Sequence, residues 1–503
     1  MEIGRAAQIG SPTGDFSLRA AGPGAMFPVM QSFASMLHQD RLFPAEPGAR
    51  RIARSLYEST KGLPIVSPHG HCDPLALAGD TAFESAATEL VTKDHYLLRM
   101  LYSQGVPLEA LGVRPRDGTP VVTDGRQIWR TFASHYGLFR GTPSKLWLDY
   151  TLQEVFGVTA PLTAANADSV YDEISARLLQ EEFRPRSLFE QWGITFLATT
   201  DGALDRLESH ARLRQSGWAG RVVPTFRPDD VVDPDRPGFH AHVATLGDLT
   251  GTDTHSWAGY LDALRSRRAA FVTAGATASD HGHPSPATAD LSRREAEDLF
   301  GRIVAGTGRP GDAELFRGQM LVEMAAMSID DGLAMQIHAG AWRDHNPLVA
   351  ERFGPDQGAD IPKPVDYVGG LKPLLDRFGN EPGLTLIVYT LDETTYSREL
   401  APLAGHYPVL RLGPPWWFFD SPEGLRRFYR SVVETAGFAN TVGFNDDARS
   451  LLSIPARHDV ARRLNAGYLA DLVAEHRMDE AEAVETAAEL ALNLACRAFR
   501  VEA

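Results

Sequence analysis

Eight short apolar runs, each closed by Gly, Pro or a polar break and separated by stretches of helical spacing, constrain this chain more than any other feature. They are Leu63-Pro-Ile-Val66, Ile194–Thr200, Val222–Phe226, Ala270–Thr273, Ala334–His338, Leu384–Tyr389, Val409–Leu412 and Thr441–Phe444. Parallel strands need a crossover between them, most often a helix, so strand-sized runs alternating with helices imply a parallel sheet. Eight of them predict an α/β fold of the (β/α)8 TIM-like barrel type. An open doubly wound sheet is the alternative, but no Gly-x-Gly-x-x-Gly directly follows any of these runs. Residues 75–190 show helical spacing, as in His95–Gln104 and Ile128–Tyr136, and no convincing strand. This predicts a helical insertion after strand 1, with a separate helical domain as the other reading. The expected boundaries are a disordered leader over 1–25, N-terminal helices and the first barrel strand over 26–74, the insertion over 75–190, and the rest of the barrel over 191–503. Met26 is an alternative start to the Gly-, Ala- and Ser-rich leader.

Charge and cysteine content exclude several classes. A formal net charge of -16 over 503 residues disfavours nucleic acid and anionic membrane surfaces as partners. Cys72 and Cys496 give no disulfide framework and fit a reducing compartment. No apolar run is long enough to span a bilayer, and the N-terminus lacks a signal-peptide pattern, so the expected location is cytoplasmic.

In a barrel, chemistry gathers at the C-terminal ends of the strands. After the first run come His69-Gly70-His71, and alternation along an extended segment aims both imidazoles to one side. Alone such a pair is commonplace. Arg227 follows the third run, Asp280-His281-Gly282-His283 lies in the fourth loop, His338 ends the fifth, and Asp446, Asp447 and Arg449 follow the last. Imidazoles and carboxylates at several strand ends are what a mononuclear divalent metal site needs. Asp446 and Asp447 compete as the carboxylate ligand, Asp446 having a helix cap as its other role.

Strand-one His-x-His, a His closing strand five and an Asp closing strand eight resemble the amidohydrolase superfamily. The fuller motif set resembles its uronate isomerase (glucuronate/galacturonate isomerase) family: Pro64-Ile-Val-Ser-Pro-His-Gly-His-Cys-Asp-Pro74, Asp94-His-Tyr96, Val223-Pro-Thr-Phe-Arg-Pro-Asp229, Ser279-Asp-His-Gly282, Met335-Gln-Ile-His-Ala-Gly340, and Asp447-Ala-Arg-Ser-Leu-Leu-Ser-Ile-Pro-Ala-Arg-His458. Two departures stand out: Ser67 where the family usually carries Asp, and Ala448 where Ser or Thr is common. No Lys lies between 146 and 362 and no His ends strand six, which disfavours the two-metal hydrolase pattern.

The resemblance implies aldose–ketose isomerisation of D-glucuronate to D-fructuronate and/or D-galacturonate to D-tagaturonate through a cis-enediol. It implies one divalent metal, zinc (Zn2+), on His69, His71 and Asp447, with Asp447 also a candidate base. Tyr96 is the candidate proton shuttle, its other reading being a core aromatic. Arg227 and Arg449 are candidates for the substrate carboxylate, whose planar partner is a guanidinium fork. Their other reading is a salt bridge to Asp229 or Asp446. His338 is expected in the pocket as a ligand or substrate contact, with His95 and His281 as weaker substrate contacts. A homo-oligomer acting on a small sugar acid is the expected assembly. A metal-dependent hydrolase or decarboxylase on the same barrel, and a non-catalytic sugar-acid-binding barrel, are the competing readings.

Overall fold

A computed structural model describes residues 36–502 of the chain. The expected leader over 1–25 and the alternative start at Met26 lie outside the described residues. Nine strands follow in chain order: β1 Ile65–Ser67, β2 Ile194–Gly202, β3 Val222–Arg227, β4 Ala278–His281, β5 Ala334–Ala339, β6 Ala341–Trp342, β7 Ile361–Pro362, β8 Leu386–Thr390 and β9 Leu410–Leu412. Seven form one sheet in the order β1-β2-β3-β4-β5-β8-β9, with every pairing parallel. Among the described residues only β6 and β7 pair antiparallel, in a two-stranded ribbon that the sequence patterning did not indicate. Helices cover the sheet, so its strands read as apolar runs rather than alternating ones. All six residues of β5 are buried, as are all five of β8. The helix Asp312–Asp331 buries Phe316, Met320, Leu321 and Met324 in the same core as Met335, Ile337 and Leu386. Each such side chain contributes about 1.5–3 kcal/mol by leaving water.

The fourth strand lies later than its sequence suggested. Ala270–Thr273 is the last turn of the helix Trp257–Thr273, and β4 begins at Ala278. A four-residue apolar run does not distinguish a buried helix turn from a buried strand, and Phe271 is apolar because that turn faces the core. The correction carries Asp280 and His281 from a loop onto the strand itself. Two helices follow it, Arg293–Val304 and Asp312–Asp331, parted by residues 305–311. The eighth run forms a single parallel bridge, Leu412 to Thr441, extended by Val442 N–H donating to the Leu412 carbonyl at 3.0 Å.

Between β1 and β2 the described residues hold helices and no strand. Trp129, Phe132, Phe139 and Phe156 build an aromatic cluster there that also takes in Ile65, Ile194, Leu197 and Val222 from the sheet. The helical segment therefore shares its core with the first strands.

Candidate metal centre and substrate pocket

Two distant pieces of chain meet just beyond the end of β1. Gly70 has no side chain, and a Cβ there would come within 3.3 Å of the Ala448 carbonyl oxygen. That close approach lets His71 N–H donate to the Ala448 carbonyl at 2.8 Å, while Thr200 Oγ1 at the end of β2 holds the Gly70 carbonyl at 2.9 Å. The His-x-His turn is thus clamped between β2 and the segment 446–449.

Within that segment neighbouring carboxylates have opposite environments. Asp446 accepts from His458 Nε2 at 3.0 Å through one oxygen and from Ala448 N–H at 3.0 Å through the other. It is a fully engaged structural brace. Asp447 adopts the left-handed conformation (φ 49°), which few non-glycine residues adopt outside functional sites, though Asp tolerates it best. Its Oδ1 lies 3.6 Å from His69 Nε2 and 3.2 Å from His71 Nε2.

These three side chains fit a metal ion. Their ligand atoms all lie within 4.8 Å of one another, and two nitrogens with one carboxylate oxygen suit a borderline divalent cation. Protonation states agree. Burial, helped by His338, pushes the His69 imidazole down to about 4, so it is neutral at neutral pH. Burial alone would raise the Asp447 carboxyl, but the neighbouring imidazoles, His71 first and then His69 and His338, hold it well below the usual carboxylate range. His69, Asp280 and His338 form a second group of similar spacing. There, however, Asp280 Oδ1 sits 2.6 Å from His338 Nδ1 and its other oxygen 3.2 Å from Arg227 Nη1. That contact orients the His338 ring with Nδ1 toward Asp280 and leaves Nε2 buried and without a hydrogen-bond partner among the described residues. His338 stacks on His69 (centroids 4.6 Å apart) and on Tyr389 (4.0 Å).

The opposite wall comes from helices and loops. Asp94 caps the helix His95–Ser103, accepting from Tyr96 N–H, and so sets His95 and Tyr96 in its first turn. The His95 ring meets Trp417 edge-on at 3.9 Å. Tyr96 Oη reaches Asp420 Oδ2 at 2.6 Å and the Trp417 carbonyl at 2.8 Å, and Arg457 Nη1 reaches the same Asp420 oxygen at 2.8 Å. A cavity of about 300 Å³ opens beside this wall, lined by His71, Lys93, His95, Asp356 and Arg449 among others. A smaller recess beneath it is lined by Asp447, Tyr96, Arg449 and Arg457.

The structure therefore gathers His69, His71, Asp447 and His338 into one cluster, with His95, Tyr96 and Arg449 lining the adjoining cavity and recess. Arg449 is partly exposed, with Nη2 3.5 Å from Asp356. Arg227 is engaged by Asp229 at 2.8 Å and by Asp280. His281 is fully buried with Nδ1 against the Gln336 carbonyl at 2.9 Å. Asp280 and Asp420 were given no role from sequence. With β4 in its true position, strand alternation separates Asp280 from His281 and marks it as the residue facing His338. For Asp420, nothing in the sequence placed it beside Tyr96, 324 positions earlier.

The profile of the glucuronate isomerase family matches residues 46–498. A uronate isomerase of Phenylobacterium zucineum is 59% identical over 466 residues, covering 93% of this chain and 97% of the relative. The crystal structure of a glucuronate isomerase from Caulobacter crescentus superposes with a TM-score of 0.91 at 56% identity, covering 92% of this chain and 97% of that one. A uronate isomerase structure from Thermotoga maritima superposes at 0.86 with 25% identity, covering 93% of this chain and all of that one. Among the described residues no helix is long and apolar enough to cross a membrane. With a family match spanning nearly the whole described chain and relatives at this level of identity, this chain belongs to the glucuronate isomerase family.

Proposed function

We propose that this uronate isomerase converts D-glucuronate to D-fructuronate, and/or D-galacturonate to D-tagaturonate, by moving hydrogen from C2 to C1 through a cis-enediol at the cavity and recess lined by His71, Asp447, Tyr96 and Arg449. The observation that carries the reading is the convergence of the Asp447 carboxylate on Nε2 of His69 and His71 at 3.6 and 3.2 Å. One divalent ion, which we take to be zinc, held by His69, His71 and Asp447, would polarise the sugar carbonyl and stabilise charge on the neighbouring oxygens.

The chain's own groups do the rest. Asp447, ionised and held in a fixed left-handed turn, takes the C2 proton and returns it at C1. Tyr96 keeps its phenolic proton at neutral pH, since burial and then Asp420 push it well above the ordinary range. It serves as the hydroxyl-proton donor and acceptor for the two sugar oxygens. Arg449, on the cavity wall, receives the substrate carboxylate through its guanidinium fork. Arg227 assists through the Asp280–His338 pair, and His338 offers Nε2 to the pocket. His95 borders the cavity, while His281 supports β4 against β5 from within the core.

We extend the reading to the fold and the assembly. The Thr441 bridge to β9 and the Ala448 contact with His71 support a closed eight-stranded barrel, with the helical segment 75–190 as an insertion after its first strand. The exposed apolar side chains Trp342, Leu348 and Ile361 support a homo-oligomer, and two unpaired cysteines support a cytoplasmic enzyme. The test is to incubate metal-loaded protein with each uronate in deuterated water and follow products by NMR. Ketose formation is expected, with deuterium at C1 in the fraction of turnovers where the proton on Asp447 exchanges with solvent before its return; failure to turn over either uronate overturns the substrate assignment.

A further inference from the structure

Tyr96 has one phenolic proton, yet two acceptors lie within hydrogen-bond reach of its Oη: Asp420 Oδ2 at 2.6 Å and the Trp417 carbonyl at 2.8 Å. With Asp420 ionised, one of these contacts sets two lone pairs face to face. With Asp420 protonated, both become hydrogen bonds, Asp420 donating to Tyr96 and Tyr96 to Trp417. Asp420 Oδ1 gives a second sign. It is buried and has no hydrogen-bond partner among the described residues. Leaving a charged carboxylate oxygen bare costs far more than leaving a neutral acid's carbonyl bare.

The surroundings keep both forms within reach. Burial raises the Asp420 carboxyl to about 6 against the opposing pull of Arg457 and Tyr96, while the Asp447 charge raises it further. Arg457 is itself fixed by the Asp446 carbonyl at 3.0 Å and lies over the Trp147 ring at 3.9 Å. No other charged side chain contacts Asp420 among the described residues.

We propose that Asp420 is the proton reservoir behind Tyr96, handing a proton to the phenol as the phenol gives its own to the sugar, and taking one back before product leaves. The proposal rests on Tyr96 facing the substrate as described above. Its balance closes within one turnover. As the C2 proton passes to Asp447, the aldehyde oxygen O1 receives the Tyr96 proton, the Asp420 proton replaces it, and Asp420 becomes a carboxylate paired with Arg457. As the proton on Asp447 is delivered to C1, the O2 hydroxyl proton passes to Tyr96, the phenol returns a proton to Asp420, and the ketone is complete. Asp420 acts through Tyr96, so its role is to position and recharge that phenol.

Asp420→Asn keeps the size and an N–H donor toward Tyr96 but has no proton to release. Infrared spectra of the resting protein give the direct readout. The wild-type-minus-variant difference spectrum should show a protonated-carboxyl stretch at about pH 5 that fades toward about pH 8, the contribution of Asp201, which burial also raises to about 7, cancelling between the two proteins. In the same variant kcat should fall about 100-fold with KM within about threefold, and the limb of the kcat profile that follows the infrared titration should vanish. Absence of a protonated-carboxyl band that depends on Asp420, or wild-type kcat with an unchanged pH profile in Asp420→Asn, overturns the proposal. The spectrum needs no turnover, so it is decided even if the substrate assignment fails. If Asp420→Asn does not fold, Asp420→Glu carries the same test, because its carboxyl band must move.

Discussion

The two walls of the pocket are built on opposite plans. On the strand side, His69, His71, Asp447 and His338 point polar atoms at one another without completing hydrogen bonds, and three of those residues leave a buried atom without a partner. On the helix side, Tyr96, Asp420, Trp417 and Arg457 are joined by short hydrogen bonds. Buried polar atoms left unpaired cost free energy, so an arrangement of converging acceptors is stable only with something positive between them. A network joined by short hydrogen bonds, with Asp420 Oδ1 left over as its bare acceptor, is suited to hold and move a proton. The difference fits the proposed division of labour, in which one wall would hold a cation and the other manage hydroxyl protons, with the substrate between them.

The largest expected effect comes from the wall of free atoms. Asp447→Asn removes ligand charge and base together and should lower kcat/KM by about 1,000-fold or more, with the melting transition retained. Asp280→Asn is subtler. It frees the His338 ring to turn, and metal affinity or activity should drop about 10–100-fold, measured by competition with a chelator. Near-wild-type affinity would show that His338 is orientated by its stacking on Tyr389 alone. Arg449→Lys keeps the charge but loses the fork; KM for the uronate should rise about tenfold with a smaller change in kcat. Equal KM values would move the substrate carboxylate to another residue.

Acid should weaken the molecule through its buried imidazoles rather than through the tyrosine wall. Burial pushes His281 and His210 down to about 4 and His283 to about 3, from an ordinary 6.5. Between about 6.5 and about 4 the unfolded chain binds these protons and the folded chain does not, so stability rises with pH across that window. Thermal melts should therefore show Tm falling as pH drops from about 6.5 toward about 4. A flat Tm over that range would contradict the neutral, buried state of these rings.

The two walls also differed in how readable they were. His69, His71, His338 and Asp447 stand at strand ends, and a strand end is marked by an apolar run that stops. Their types then suggested the chemistry. The family motif favoured Asp447 over Asp446, and the physical difference between them lies in the fold: His458 occupies the Asp446 carboxylate. The tyrosine wall is assembled from a capped helix start, the loop after β9 and the helix Ile454–Ala474, and no local periodicity links these. Tyr96 was accessible through its motif; its partner Asp420 was not. The fourth strand was misplaced for a related reason, since Phe271 is equally buried whether its turn is helix or strand.

The division of labour is tested most directly by metal binding. Equilibrium dialysis against zinc should find one ion per chain in the wild type and in Asp420→Asn, and strongly reduced binding in Asp447→Asn. Full metal retention by Asp447→Asn, or loss of metal in Asp420→Asn to the same degree, would contradict the separation of a cation-holding wall from a proton-handling one.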